Sequence, residues 1–146
     1  MRLLLISNST NAGEEYLKYP IGDIAEFLSC ANEVLFIPYA AVTFSYDEYA
    51  AKVQRRFDEI DIRVRAVMEA EAVVVGGGNT FALIKKMQEQ RLLGPLHERI
   101  MDGLPYVGWS AGSNVACPTI RTTNDMPIVE PESFRAIGAV GFQINP

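Results

Sequence analysis

Gly108-Trp109-Ser110-Ala111-Gly112 fits the pattern G-x-S-x-G directly after the apolar pair Tyr106-Val107. In that pattern a tight strand-to-helix turn pushes the serine outward, and the small flanking residues relieve crowding. Pro105 to Val107 supplies the strand. Ser113 to Ala116 can continue a helix whose N-terminal amides and positive dipole end would face Ser110 and stabilise an oxyanion. The same pentapeptide also suits a tight turn with a capping serine. A second loop, Val73 to Phe81, runs Val-Val-Val-Gly-Gly-Gly-Asn-Thr-Phe and could bring backbone N–H groups against a ligand. It fails as a dinucleotide fingerprint, which would need glycine at Phe81 and an acid at a strand end about twenty residues later. It suits a second oxyanion donor better.

The elements that must position these loops read as alternating strands and helices. Continuous apolar runs at Arg2 to Ile6, Val34 to Ile37, Ala72 to Val75 and Tyr106 to Val107 suit strands buried on both faces. Between them lie helix-period stretches: Ile21, Ile24, Ala25 and Leu28; Tyr46, Tyr49, Ala50 and Val53; Phe81, Leu83, Ile84 and Met87. Ser45 with Glu48 fits a capping box. The pattern predicts an α/β architecture with a mainly parallel sheet, with ligands bound beyond the carboxyl ends of the strands. Polar loops sit at those ends: Ser7 to Asn11, Pro38 to Thr43, Gly76 to Thr80 and Gly108 to Gly112. One stretch conflicts with this plan. Between a strand predicted at Ile60 to Val64 and the strand from Ala72 only seven residues remain, and a parallel crossover with its helix needs about 10 to 12. Either one strand is an edge hairpin or residues are missing between Arg63 and Ala72.

Composition narrows the function classes. The chain has 146 residues, 49% of them hydrophobic, enough for one domain with a packed core. Its net charge of -5, without a run of Lys or Arg, lacks the footprint of a nucleic-acid binder. Small molecules or peptides are the expected partners. No apolar stretch approaches a membrane span, and Leu3 to Ile6 is too short for a signal-peptide core, so a cytoplasmic protein is expected. Cys30 and Cys117 lack the spacing of a zinc site or a disulfide framework and read as reduced thiols. Cys117 reads as a small buried apolar side chain rather than a rival nucleophile. Glu14 with Glu15, Asp58 with Glu59 and Asp61, and Glu69 with Glu71 read as solvated faces or helix ends. The single histidine, His97, lies in the helical stretch Pro95 to Met101 beside Glu98 and Arg99, where a solvated helix residue is expected.

The segments LLLISNST, VLFIPYA, DEY, VVVGGGNTF, GWSAGSNVACPTIRTTNDMPIV and QINP, in this order, closely resemble the peptidase E (α-aspartyl dipeptidase) family. That family's fold is similar to the class I glutamine amidotransferases. The resemblance implies a flavodoxin-like three-layer α/β sandwich and a serine peptidase that cleaves dipeptides beginning with aspartate through a Ser-His-Glu triad, without metal or other cofactor. Ser110 falls on the nucleophile, and the N–H groups of Gly78 and Ala111 fall on the oxyanion hole. Asn79, Thr80 and Asp125 lie in motif segments near the cleft and are candidates for orienting the substrate. Arg121 is a candidate for reading its carboxylate, and equally for a structural salt bridge.

The departures from the family set further expectations. Family members carry a longer segment before VVVGGGNTF, at the place where the crossover looks short. The family's His follows directly after QINP and its Glu lies further on, whereas this sequence stops at Pro146. Residues 1–146 are therefore expected to be the N-terminal part of a single peptidase domain, inactive alone, with the triad His and Glu absent. Rival expectations are a cyanophycinase-like hydrolase of aspartyl polymers, and a non-catalytic binding protein or truncated remnant. Oligomeric state is not legible.

Overall fold

The computed structural model describes residues 1–65 and 71–146. β1 (Leu3–Ile6), β2 (Glu33–Ile37), β3 (Arg63–Arg65), β4 (Ala72–Val75) and β5 (Tyr106–Trp109) form one sheet in the order β1-β5-β4-β2-β3, and all its pairings are parallel. Strands covered on both faces must be apolar on both sides, and here alternate residues divide between two cores. Val34, Phe36, Val74, Val107 and Trp109 face α1 (Ile21–Phe27) and α2 (Tyr46–Phe57), which contribute Ile24, Tyr49, Val53 and Phe57. Ile37, Val73, Val75 and Tyr106 face the other layer, with Leu83, Ile84 and Met87 of α3 (Thr80–Glu89), Ile100 of α4 (Leu93–Met101) and Ala111 of α5 (Ala111–Asn114). The fold is a flavodoxin-like three-layer α/β sandwich. Because α1 follows β1 on one face and α5 follows β5 on the other, the adjacent ends of β1 and β5 form a switch point of the sheet, where such folds open a crevice.

Local chemistry starts the helices where the sequence predicts. At α2, Ser45 Oγ accepts from Glu48 N at 3.2 Å and the Glu48 carboxylate accepts from Ser45 N at 2.8 Å, the reciprocal capping box. Donation from Ser45 N, and from the Ser45 hydroxyl at 2.9 Å, holds the Glu48 carboxyl below the usual carboxylate range. At α3, Asn79 Oδ1 accepts from Ala82 N at 3.0 Å. Helix α5 is a single turn, shorter than the predicted continuation to Ala116, so it has no long dipole to direct at the serine. Residues 118–146 carry no helix or named strand. They wrap α5 through backbone bonds such as Ile137 N to Val115 O (2.9 Å) and Gly138 N to Cys117 O (2.9 Å), burying Ile120, Ile137 and Ala139.

The region around β3 differs from the sequence reading. Ile60 ends a 3-10 turn (Asp58–Ile60), Asp61 takes the left-handed region at φ 57°, and the strand begins only at Arg63. The hairpin alternative is overturned: β3 is an edge strand parallel to β2, and β4 is parallel to β2 on its other side. Stagger explains how both pairings coexist with a short connection. Arg65 is level with Leu35 and Ala72 with Val34, so these two strand ends stand at nearly the same height and two strand spacings apart, roughly 10 Å. Seven residue steps reach at most about 25 Å. Residues 66–70, with Glu69 among them, lie outside the described residues.

Close approach between α5 and β4 fixes the sheet's upper end. A β-carbon at Gly112 would overlap the carbonyl oxygen of Val75, which is backbone and cannot turn aside. Gly112→Ala should therefore lower unfolding stability by at least the roughly 1–3 kcal/mol typical of overpacking. Gly94→Ala, in α4 with nothing near its β-position, should raise it by about 0.5–1 kcal/mol. Urea denaturation of the two variants beside the unsubstituted protein checks both signs.

Candidate active site

Ser110 leaves β5 with φ 51° and ψ -118°, a positive-φ conformation for a residue that carries a β-carbon. Such a backbone costs on the order of 1–3 kcal/mol and persists only where its surroundings impose it. Those surroundings are visible. Ser110 N donates to Ile6 O of β1 at 2.9 Å, and Ser110 O accepts from Ser113 N (2.8 Å) and Asn114 N (3.0 Å). Ser113 Oγ, fully buried, lies 3.0 Å from Ile6 N as acceptor, and 2.7 Å and 2.8 Å from Ile6 O and Gly108 O as possible acceptors. One hydroxyl thus ties the turn to both β1 and β5. Tyr106 Oη donates to Gly112 O at 2.6 Å from below.

The glycine loop after β4 meets this turn. A β-carbon at Gly77 would stand 3.0 Å from Ser110 Cβ and 3.2 Å from Trp109 O, so the two loops touch backbone to backbone. Gly78 has φ +135°, and a β-carbon there would overlap Ala40 O, the acceptor for Asn79 N at 2.9 Å. Glycine is required on both counts. Among the described residues, Ser110 Oγ and the N–H groups of Gly78 and Ala111 have no hydrogen-bond partner. A half-buried free hydroxyl therefore sits in a turn that adjoins two chain segments with unused amides.

The remaining sequence-predicted residues fall into two groups. Asp125 Oδ2 accepts from Thr80 N (2.7 Å), Thr80 Oγ1 (2.6 Å) and Thr123 Oγ1 (3.2 Å) at the start of α3, and Asn79 Nδ2 donates to Met126 O at 2.9 Å. Asn79, Thr80 and Asp125 are thereby joined where the glycine loop enters its helix. Arg121 stands apart, exposed, with its guanidinium 5.8 Å from the Phe134 ring centre. His97 is half-buried rather than solvated: its Nδ1 lies 3.0 Å from Ile137 O, on a cavity of about 760 Å³ bordered by Gln88, Arg91 and Arg135. Neither this cavity nor the second, of about 800 Å³ between α2 and α4, is lined by Ser110. Cys117 is buried, and burial pushes its thiol up, away from the reactive thiolate. Among the described residues no cluster of His, Cys, Asp or Glu could hold a metal ion, and no helix is long and apolar enough to cross a membrane.

Three features escape sequence reading. Ser113 looks like a second small residue in the turn, and its bracket on Ile6 is visible only in space. Asn114, also fully buried, donates to Thr122 Oγ1 (3.0 Å) and Ile144 O (2.9 Å), tying residues 122 and 144 to α5. Tyr49 reads as one apolar position of the α2 stripe, yet its hydroxyl reaches the glycine loop, donating to Gly77 O at 3.1 Å. A buried tyrosine needs a partner for its hydroxyl, which is the signal that could have found it.

If the φ of Ser110 is imposed by its surroundings, Ser110→Gly should be more stable than Ser110→Ala by about 1 kcal/mol. The relief of strain exceeds the roughly 0.4–1 kcal/mol that glycine costs through the unfolded chain. Paired thermal and urea unfolding checks this, and equal stabilities would show that the turn is relaxed.

Comparison with known proteins follows the same residues. The model of Peptidase family S51 matches residues 3–146. A protein named Peptidase E from Nostoc sp. is 53% identical over 156 residues, covering 99% of this chain and 64% of the relative. Peptidase E from Citrobacter koseri is 45% identical, covering 100% of this chain and 68% of the relative. This chain therefore spans about two thirds of their length. The alignments run over 156 positions against 146 residues here, so the relatives also hold positions without a counterpart in this chain. A crystal structure of a candidate peptidase E from Listeria monocytogenes EGD-e superimposes with a TM-score of 0.77 at 23% identity, covering 97% of this chain and 76% of that one, and shares the fold. The serine turn, the glycine loop and the match over nearly the whole sequence lead to one conclusion: the chain belongs to peptidase family S51.

Proposed function

We propose that residues 1–146 are the nucleophile-bearing part of a single-domain serine peptidase that hydrolyses dipeptides with an N-terminal aspartate. The observation that carries the reading is the strained Ser110 turn with its free hydroxyl against the glycine loop. The peptidase names of the relatives support the reaction class. Ser110 Oγ attacks the carbonyl carbon of the aspartyl residue as its proton passes to a base, and the Gly78 and Ala111 N–H groups receive the oxyanion. Collapse of the tetrahedral intermediate breaks the C–N bond, and the same proton goes to the leaving amine. Water then hydrolyses the aspartyl ester and restores the serine.

His97 does not serve as the base in this reading, because its Nδ1 is engaged by Ile137 O on a cavity that Ser110 does not line. The base comes from residues outside 1–146, in the part of the relatives that this chain does not span. Asp125, with Thr80 and Asn79, is assigned to the substrate's ammonium end, and Arg121 to a weaker carboxylate contact. The protein is taken to act in the cytoplasm, on small peptides, without a metal or other cofactor.

The test uses the full-length gene product and a panel of Asp-X, Glu-X and Ala-X dipeptides beside a β-aspartyl polymer. Asp-X should be preferred, and Ser110→Ala should lose at least about 10³-fold in turnover with its fold retained. Hydrolysis that survives Ser110→Ala, or activity on the polymer alone, would overturn the reading. Asp125→Asn keeps an acceptor for Thr80, so it should raise KM for Asp-Leu by about tenfold, the scale of one lost charge contact, while thermal stability changes little. An unchanged KM would leave Asp125 with only its tie to α3.

A further inference from the structure

We propose that Tyr49 is a positioning residue for the oxyanion hole, acting through the carbonyl of Gly77. The inference rests on the assignment of Ser110 and Gly78 proposed above and extends it to a side chain that touches neither substrate nor nucleophile.

Tyr49 lies on α2, 3% exposed, beneath the glycine loop. Its hydroxyl accepts from Tyr16 Oη at 3.0 Å and from Trp109 Nε1 at 3.2 Å, and donates to Gly77 O at 3.1 Å. A phenol has one proton and two acceptor sites. With both acceptor sites occupied, its proton is directed to Gly77 O. That carbonyl shares a planar trans peptide with Gly78 N–H, and the two point in opposite directions. Holding the oxygen therefore sets the rotation of the plane and the aim of the N–H on its far side.

The same hydroxyl joins the two loops of the site, because Trp109 directly precedes Ser110 while Gly77 directly precedes Gly78. Little slack remains around it. A β-carbon at Gly76 would stand 2.7 Å from Tyr49 Oη, so the loop lies directly on the hydroxyl. The rings of Phe36 and Phe44 meet the Tyr49 ring edge-on at 5.0 Å and 5.1 Å and keep it from turning away. Burial raises both the Tyr16 and Tyr49 hydroxyls above the ordinary tyrosine range, so both remain protonated donors at neutral pH.

The experiment compares Tyr49→Phe, Tyr16→Phe and Ser110→Ala with the unsubstituted full-length gene product. Asp-Leu turnover is measured with the affinities for an aspartyl aldehyde, which adds to a serine as an oxyanion, and for a reduced-bond Asp-Leu analogue that has no carbonyl. Tyr49→Phe should lower kcat by roughly tenfold or more, a fraction of the 10²–10³ lost when an oxyanion donor is removed outright. KM should stay within about twofold, since ground-state binding is untouched. Aldehyde affinity should fall by a similar factor to kcat, and affinity for the reduced analogue should not change. Tyr16→Phe leaves the bond to Gly77 but frees one acceptor site, so it should show a smaller loss in the same direction. It decides the question if Tyr49→Phe does not fold.

An unchanged kcat, or equal weakening of aldehyde and reduced analogue as a merely structural role would give, overturns the inference. Hydrolysis persisting in Ser110→Ala overturns the assignment of the nucleophile instead. An unsubstituted protein that neither turns over Asp-Leu nor binds the aldehyde overturns both.

Discussion

Everything at the upper end of this sheet depends on two backbone turns meeting without side chains between them. Gly112 leaves no room for a β-carbon against Val75 O, and Gly77 leaves little against Ser110 Cβ. The contact brings the ends of β4 and β5 together, so that the glycine loop lies against the turn that carries Ser110. Glycine here is a steric requirement, and it explains why the small residues of both loops act as a pair. A β-carbon at either place would separate the loops before it altered any chemical group.

The strain that this arrangement imposes on Ser110 is held by bonds that run down into the sheet. Ser113 Oγ bridges Ile6 and Gly108, Tyr106 Oη supports Gly112 O, and Tyr49 Oη links Trp109 to Gly77. All three side chains are buried, where an unmade hydrogen bond costs about 1–3 kcal/mol. Each bracket therefore resists relaxation of the turn with more than its own net strength. Ser110 joins this frame through its backbone alone, and its hydroxyl has no partner among the described residues.

The order of elements was legible because strands buried on both faces have to be continuously apolar, and because the start of α2 declares itself through Ser45 and Glu48. The two turns were legible because glycine repeats mark backbone approach. The edge strand was less so: an apolar pattern from Ile60 to Val64 does not reveal that Asp61 turns left-handed and delays the strand to Arg63. Nor does it reveal the stagger that lets β3 and β4 flank β2 in parallel. The place of Arg121 in a long motif says nothing of its surroundings, and in space its guanidinium adjoins the Phe134 ring. Tyr49 was hidden for the opposite reason. Helical periodicity assigned it to the core, which is correct for its ring and says nothing about its hydroxyl.

The proposed function turns on one atom position, the place where an oxyanion would form beside Ser110. A crystal structure of the full-length gene product with an aspartyl boronic acid bound to Ser110 tests that position directly. The account predicts a tetrahedral adduct with one oxygen about 3 Å from both Gly78 N and Ala111 N. An adduct oxygen turned to solvent, or the two nitrogens more than about 6 Å apart and so unable to share it, would contradict it.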